Sequence, residues 1–504
     1  MKILTAAQIR QADQYTIQNE PIASIDLMER AALKCTDWIL QHLNNFQTVQ
    51  IYCGNGNNGG DGLAIARLLT EKKITVEVVL VMDSQKGSPD FLKNRKRLEK
   101  YPDIRIHNAT ENGFPSIPDK CLLIDAIFGS GLNRAPEGLA AEAIQLINQS
   151  KRIVIAIDIP SGLPVDETAT DPQKVIKADY TLCFAPIKIA LIHPENENFC
   201  GEWHLIDIGH HPVFMEEVTV SQFFISPQMV RSLIPKRRKF SHKGTFGHAL
   251  LLAGSRGKSG AATMAAMACH RSGCGLLTIH TPPSVLHSIE CHSPETMVSI
   301  DSTETYISSL PKLDNYTAVA MGPGIGTMKE TANTLKLLLQ QWKGPLVLDA
   351  DALNILSENK TWMAFLPPDC ILTPHPREFA RMAGKSVDSF EQKEKQRELS
   401  IRYGVFIILK GAHTCISTPT GQLFFNSSGN PGMAAAGSGD VLTGILLGLL
   451  SSGYTPAAAS IAAVYLHGLA GDIAMQEHGQ EALIATSIIQ SIGKAFLKCI
   501  SECE

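Results

Sequence analysis

Val49-Gln50-Ile51-Tyr52, then Asn55-Gly56-Asn57-Asn58-Gly59-Gly60-Asp61-Gly62, then Val76-Glu77-Val78-Val79-Leu80-Val81 is the stretch that decides the fold of the amino-terminal half. Two β-branched runs flank a glycine-rich loop and an amphipathic segment, Gly62–Glu71. That order reads as strand, loop, helix, parallel strand. A glycine loop at such a junction lets backbone N–H groups approach a phosphate, with the helix N-terminus adding its dipole. It lacks the Lys-Ser/Thr of a Walker loop and departs from the dinucleotide Gly-x-Gly-x-x-Gly pattern.

Working outward, the alternation continues. Strands are expected at Cys121–Ile124, Ile153–Ile157, Tyr180–Cys183 and Trp203–Ile206, with a helix at Ala140–Asn148. The run from Gly209 to about Gln222 reads as a linker. Beyond it the pattern restarts, with strands at Ala249–Leu252, Leu276–His280, Ala318–Met321, Leu346–Leu348, Cys370–Leu372 and Val405–Leu409. A hairpin follows at Cys415–Ser417 and Gln422–Phe425, and the last 65 residues read as helical. The expected architecture is α/β: two doubly wound domains, an N-terminal Rossmann-like three-layer sandwich (1–212) and a second domain at 223–504.

Composition narrows the function. With 19% charged and 44% hydrophobic residues, the balance is that of a globular chain. A net charge of −4 gives no electrostatic reason to bind nucleic acid or an anionic membrane. The apolar run Ile445–Leu450 stops at Ser451-Ser452-Gly453, too short to span a bilayer. The start turns polar by Gln8 and Arg10 without a secretory apolar segment, so the expected setting is the cytoplasm. The 12 cysteines include no Cys-x-x-Cys; Cys269 and Cys274 sit in a helical stretch and read as reduced thiols.

A second glycine turn, Gly437-Ser438-Gly439-Asp440, runs into Val441-Leu442-Thr443-Gly444. Its N–H groups can form an anion hole, and Asp440 at the helix start can serve as a base. Taken alone, an aspartate capping a helix is the plainer reading. Three strand-end loops converge with it: Gly322-Pro323-Gly324-Ile325-Gly326, Thr373-Pro374-His375-Pro376 and Lys410-Gly411-Ala412-His413-Thr414. From about His242 to about Ser487 these residues resemble the ribokinase-like superfamily, and within it the ADP/ATP-dependent NAD(P)H-hydrate dehydratases. His242-Lys243-Gly244-Thr245-Phe246-Gly247, Gly254-Ser255, Ser259-Gly260-Ala261-Ala262 and Asn430-Pro431-Gly432-Met433-Ala434 belong to the same set. The resemblance implies that Ala262, Gly326, His375 and Asp440 contact a hydrated nicotinamide nucleotide. It implies that Lys410, Gly411, Ala412, His413, Thr414 and Gly439 hold ADP, the phosphoryl donor, accompanied by Mg2+. His375, fixed between two prolines, is as readily a structural histidine. One departure stands out: Ala435-Ala436 precede Gly437 where the family often has Thr-Gly, so two methyls are expected to crowd that turn.

In the first half, Asp125-Ala126-Ile127-Phe128-Gly129-Ser130-Gly131-Leu132 and Asp158-Ile159-Pro160-Ser161-Gly162 also end strands. With the Asn-Gly loop they set oxygen side chains beside an anion cradle, which suits a cation of low charge. Residues 8–210 resemble the NAD(P)H-hydrate epimerase domain. The resemblance implies that Asn57, Asn58, Gly59, Gly60, Asp61, Gly129, Ser130, Gly131, Leu132, Asn133, Arg134, Ala135 and Asp158 grip the substrate. It implies that Asn58, Asp125 and Ser161 bind K+. Asp158 is the expected acid/base residue, with Asp61 its competitor. Together the two resemblances imply a bifunctional repair enzyme acting on small-molecule hydrates, NADHX and NADPHX, and a homo-oligomer. The alternative is a ribokinase-like vitamin or sugar kinase with an N-terminal ligand-binding or scaffold module.

Overall fold

The computed structural model describes residues 1–501 apart from 44, 45, 84, 110–112, 133 and 170. It divides into two compact units, Lys2–Val220 and Ser221–Glu504, the latter including Met1.

The first unit is built on seven parallel strands: β1 (Thr48–Cys53), β2 (Thr75–Leu80), β3 (Arg105–Asn108), β4 (Cys121–Ala126), β5 (Val154–Ile157), β6 (Tyr180–Phe184) and β7 (Glu202–Ile206). Their spatial order is β3-β2-β1-β4-β5-β6-β7. The order reverses between β1 and β4, where Tyr52 pairs with Asp125. At such a switch point the loops leaving the two strands part and open a crevice. Alternate residues serve opposite faces, as the period of two demands: Val49, Ile51 and Cys53 join one core cluster, Tyr52 and Leu123 another.

Sequence reasoning placed the Asn-Gly segment in a loop, and that is corrected. The helix spans Asn57–Glu71, so Asn57 to Asp61 form its first turn and a half. The glycines make this possible. A Cβ on Gly59 would stand 1.9 Å from the Gly54 carbonyl oxygen, so only a bare backbone lets the helix start so close to the strand end. The expected linker is also more ordered than its composition suggested. It contains a helix, Pro212–Glu217, and its last residue opens β8 (Gln222–Phe224).

The second unit carries a ten-stranded sheet. With β8, its strands are β9 (His248–Leu252), β10 (Leu276–Thr281), β11 (Met297–Ile300), β12 (Ala318–Met321), β13 (Leu346–Leu348), β14 (Ile371–Leu372), β15 (Phe406–Leu409), β16 (Cys415–Ser417) and β17 (Leu423–Phe425). The order is β11-β10-β9-β12-β13-β14-β15-β16-β17-β8. It is parallel as far as β15; the β16–β17 hairpin then adds antiparallel pairs. The order reverses between β9 and β12, whose following loops hold Gly254-Ser255 and Gly322–Gly326.

The helix Ser259–Arg271 packs against the helix Ser438–Ser451, with Ala265 and Ala268 against Gly444. The next helix, Pro456–His478, corrects the expectation that no segment is long and apolar enough to cross a bilayer: its 23 residues are. The alanine-rich sequence hid this, since no single run in it is strongly apolar. Most of the helix is buried, and Ala459, Ala462, Ala463, Leu466 and Ala470 belong to the core. Nine of the eleven described cysteines are buried.

Candidate active sites

In the first unit a cavity of about 460 Å³ opens at the β1/β4 switch point. Its wall holds Asn57, Asn58 and Asp61 from the Asn57–Glu71 helix, the loop after β4 from Gly129 to Leu132, Arg134 and Ala135, and Asp158. Asn133 lies outside the described residues. Gly59 and Gly60 turn away from the cavity: the first backs onto Gly54, the second onto Met28 and Phe91. Both are needed for close packing. Arg10, Asp13 and Phe184, absent from the sequence-based set, also line it.

Asp158 adopts φ +69, which side-chain-bearing residues rarely take. Such strain persists only where the surroundings over-determine it. Here they do: Ser130 N–H donates to Asp158 Oδ2 at 3.2 Å, and Lys188 Nζ donates to Oδ1. Lys188 follows β6, is buried, and also donates to the Phe184 carbonyl. Burial works against its charge, but the carboxyl of Asp158 keeps its pKa above the ordinary lysine value. Asp61 is different. Nothing among the described residues hydrogen-bonds to it. Burial, then the charges of Asp158, Asp13 and Asp90, push its pKa well above the carboxylate range. One acid is thus ion-paired, while burial and neighbouring acids disfavour the charge on the other, so the two carboxyls sit in opposite electrostatic settings.

Beneath the cavity, Asp125 and Ser161 bind each other. Ser161 Oγ donates to Asp125 Oδ1 at 2.6 Å and Ser161 N–H to Oδ2 at 2.8 Å. Burial pushes the Asp125 carboxyl up to about 6, against the pull of the Ser161 bonds. Asn58 packs on Gly129, and both atoms of its amide are buried without a partner. A buried, unsatisfied carboxamide costs free energy unless something completes it. An amide oxygen, a carboxyl and a hydroxyl are the donors a monovalent cation takes.

In the second unit, Gly437 has φ +89 and starts the helix Ser438–Ser451. That φ is one side-chain-bearing residues rarely adopt, so glycine is favoured there; a Cβ would also have to push aside the flexible end of Met264. Ser438 N–H reaches back to the Ala435 carbonyl at 3.4 Å, so the Ala435-Ala436 segment forms the turn despite its methyls. Ser438 Oγ lies 3.2 Å from Nε2 of the half-buried His467, whose pKa burial and the Lys410 charge pull down to about 4. That ring is therefore a neutral anchor. Asp440, in the first helical turn, is partly buried. Burial and then the charge of Asp349 push its carboxyl up to about 7, with Lys410 pulling the other way.

Lys410 leaves β15 and donates to Asp349 Oδ1 at 2.8 Å. A Cβ on Gly439 would stand 3.4 Å from Lys410 Nζ, so the ammonium lies against the anion-hole turn. Gly326 N–H donates to Asp351 Oδ2 at 2.8 Å. The structure thus gathers Gly326, Lys410, Gly439 and Asp440 around Asp349-Ala350-Asp351. Ala262 is fully buried, below Gly254. In Lys410–Thr414, Thr414 Oγ1 closes onto Gly411 and the His413 ring faces the Asn426 carbonyl at 2.8 Å. What Gly411 to Thr414 offer a ligand is chiefly backbone. His375 caps the helix Pro376–Ala383: its Nδ1 accepts from Arg377 and Glu378 N–H, and Glu378 bonds back.

Sequence reasoning missed Lys188, Asp349, Asp351, Thr443 and His467. Asp349 directly follows a strand, the signal that found its neighbours; Lys188 lies four residues beyond β6, Asp351 opens a helix, and the last two lie inside helices.

Two parallel-sheet units, each with acids and a lysine gathered at strand ends, define an enzyme that handles small nucleotide-like molecules. Residues 249–494 match the family described as NAD(P)H-hydrate dehydratase, and residues 24–190 the family described as YjeF-related protein N-terminus. The bifunctional NAD(P)H-hydrate repair enzyme of Moorella thermoacetica is 34% identical over 97% of this chain and 95% of its own. That of Escherichia coli is 33% identical over 88% and 84%. A solved Bacillus subtilis ADP/ATP-dependent NAD(P)H-hydrate dehydratase, co-crystallised with ATP and Mg2+, is 32% identical and covers 55% of this chain and 98% of its own, with a TM-score of 0.49. The chain belongs to the bifunctional NAD(P)H-hydrate repair enzymes.

Proposed function

We propose that the first unit interconverts the R and S forms of hydrated NADH and NADPH, and that the second dehydrates the S form at the expense of ADP, releasing AMP and phosphate. The observation that carries this reading is the placement of Asp440 in the first turn of a helix, beside Lys410 and the glycine anion-hole turn.

Hydroxide leaves poorly. Transfer of the β-phosphoryl group of ADP to the C6 hydroxyl turns the leaving group into phosphate; elimination of that phosphate with a neighbouring proton restores the ring double bond. Asp440 accepts the hydroxyl proton during transfer. The N–H groups of the Ser438-Gly439 turn and the Lys410 ammonium stabilise the charge spread over the phosphoryl oxygens. Magnesium would travel with the nucleotide's phosphates.

Inversion at C6, by ring opening or transient loss of water, needs one group that takes a proton and one that gives it. Asp158, ion-paired with Lys188, and Asp61, whose charge burial disfavours, would supply that pair across one cavity. Asn58, Asp125 and Ser161 would hold K+, whose charge would favour the nucleotide phosphates; the orphaned Asn58 amide supports this assignment. Arg134 and Arg10 line the same wall and would meet phosphate.

The test is to incubate the full chain with mixed epimers and ADP and to follow reduced-nicotinamide absorbance. Complete recovery is expected. Recovery that stops once the S form is spent removes the epimerase; no recovery with ADP or ATP removes the dehydratase.

A further inference from the structure

Asp349 carries none of the motifs that identified the second unit, yet three elements meet on it. It directly follows β13 and is 1% exposed. Its two oxygens are divided between partners: Oδ1 accepts from Lys410 Nζ at 2.8 Å, Oδ2 from Thr443 Oγ1 at 2.7 Å. Lys410 comes from the loop after β15; Thr443 lies one turn beyond Asp440 on the same helix. The adjoining Ala350 has φ +47, a strained backbone that fixes where Asp349 points. The Asp349 backbone packs tightly against Gly322, where a Cβ would stand 1.9 Å from the Asp349 carbonyl oxygen.

Building on the phosphoryl-transfer reading above, we propose that Asp349 is a positioning residue for dehydration, clamping the Lys410 ammonium against the Ser438-Gly439 turn and seating the first turns of the Asp440 helix. It acts through Lys410 and Asp440, without touching the substrate.

A purely structural tie would not need charge. Burying an aspartate is expensive unless it is paired, and an asparagine of the same shape could also bond Thr443. The carboxylate adds an electrostatic setting. Asp440 faces Asp349 and Asp351, which disfavour its ionisation, and Lys410, which favours it. Lys410 faces Asp349, Glu378 and Asp440. The rings of His375 and His467 face Lys410, and Lys258 is taken up by Asp351. With Asp349 charged, Lys410 is held between two acids. Neutralising Asp349 removes one repulsion from Asp440 and frees the ammonium to close on it. Both changes lower the pH at which Asp440 ionises.

The experiment is the pH dependence of kcat/KM for dehydration by full-length wild type, Asp349→Asn and Thr443→Val, with epimerisation by the same preparations as the control for folding. Asp349→Asn is expected to move the acid-side midpoint down by about one pH unit, the scale of one close charge, and to lower the plateau about ten-fold. Thr443→Val keeps the ion pair, so its midpoint is expected to stay while the plateau falls. A lowered plateau with an unmoved midpoint in Asp349→Asn overturns the proposal. If Asp349→Asn is inactive, the Asp440 carboxyl is titrated directly by 13C NMR of aspartate-labelled protein, assigned by its loss in Asp440→Asn. An unshifted titration overturns the proposal, and a downward shift supports it. Wild type that fails to dehydrate sinks the functional reading instead, while the NMR titration still decides the role of Asp349.

Discussion

Lys188 Nζ is hydrogen-bonded to Asp158 Oδ1, and the two side chains are only 1% and 7% exposed. A pair this deep gains little net stability from its attraction, but removing one partner strands the other charge. Lys188→Met is therefore expected to destabilise the first unit by about 3 kcal/mol and to reduce epimerisation about 100-fold or more. Adding Asp158→Asn should restore much of the stability and none of the epimerisation. Urea unfolding and epimer assays on the single and double variants check this; a double variant no more stable than Lys188→Met denies the coupling.

Asp61 makes the opposite prediction. Its folded pKa stands above its unfolded one, so the folded state binds the extra proton, and stability is lost as pH rises from the unfolded value toward the folded value. Asp61→Asn removes that loss. Its melting temperature should match wild type near pH 4 and exceed it increasingly toward neutrality, while epimerisation falls. A constant difference across pH would mean that Asp61 does not carry a proton in the fold.

These two acids show what the chain made legible. The strand-end logic placed Asp125, Asp158 and the Gly129–Ala135 loop around one crevice because a parallel sheet forces those loops to the same edge. It could not place Lys188, since a buried lysine reveals itself only through the partner that neutralises it. Nor could it tell that Gly59 and Gly60 are also needed for packing: in sequence a phosphate loop and a close helix–strand approach both appear as glycine. The same limit applied in the second unit. Asp440 stood out beside its glycines, whereas Asp349 and Thr443, 94 residues apart, become one feature only when β13 and the Ser438–Ser451 helix meet.

If Asp440 is the base, as proposed, it sets the pH dependence of dehydration. A base must be ionised, and the carboxyl is pushed up to about 7, so kcat/KM should fall as pH drops below that value and level off above it. Asp440→Asn should lose about 100- to 10,000-fold in kcat while epimerisation by the same chain is unchanged. An acid limb that persists in the residual activity of Asp440→Asn would assign the titration elsewhere.

The Asn58 amide offers a test of the cation. Asn58→Leu replaces an unpartnered polar group with an apolar one of similar size, which should not destabilise the fold and can stabilise it. If Asn58 completes a K+ site, the variant should lose any stimulation of epimerisation by K+ over Na+ and show a raised KM. Unchanged K+ dependence would leave the site to other oxygens.

His375 separates a cap from a ligand contact. Its Nδ1 accepts two backbone N–H groups, and burial, with the nearby Lys410 and Arg381 charges, lowers its pKa, so the ring is neutral at working pH. His375→Asn preserves a side-chain acceptor at the N-cap; His375→Ala removes it at a cost of about 1 kcal/mol. If capping is its only role, the asparagine variant should keep both stability and dehydration, and the alanine variant should lose stability with little change in KM. If His375 also meets the hydrated nicotinamide, as the family resemblance implies, both variants should raise KM for the hydrate while only alanine lowers the unfolding midpoint. Parallel measurement of KM and urea midpoint in the two variants decides between them, because no purely structural defect raises KM in the variant that keeps the cap.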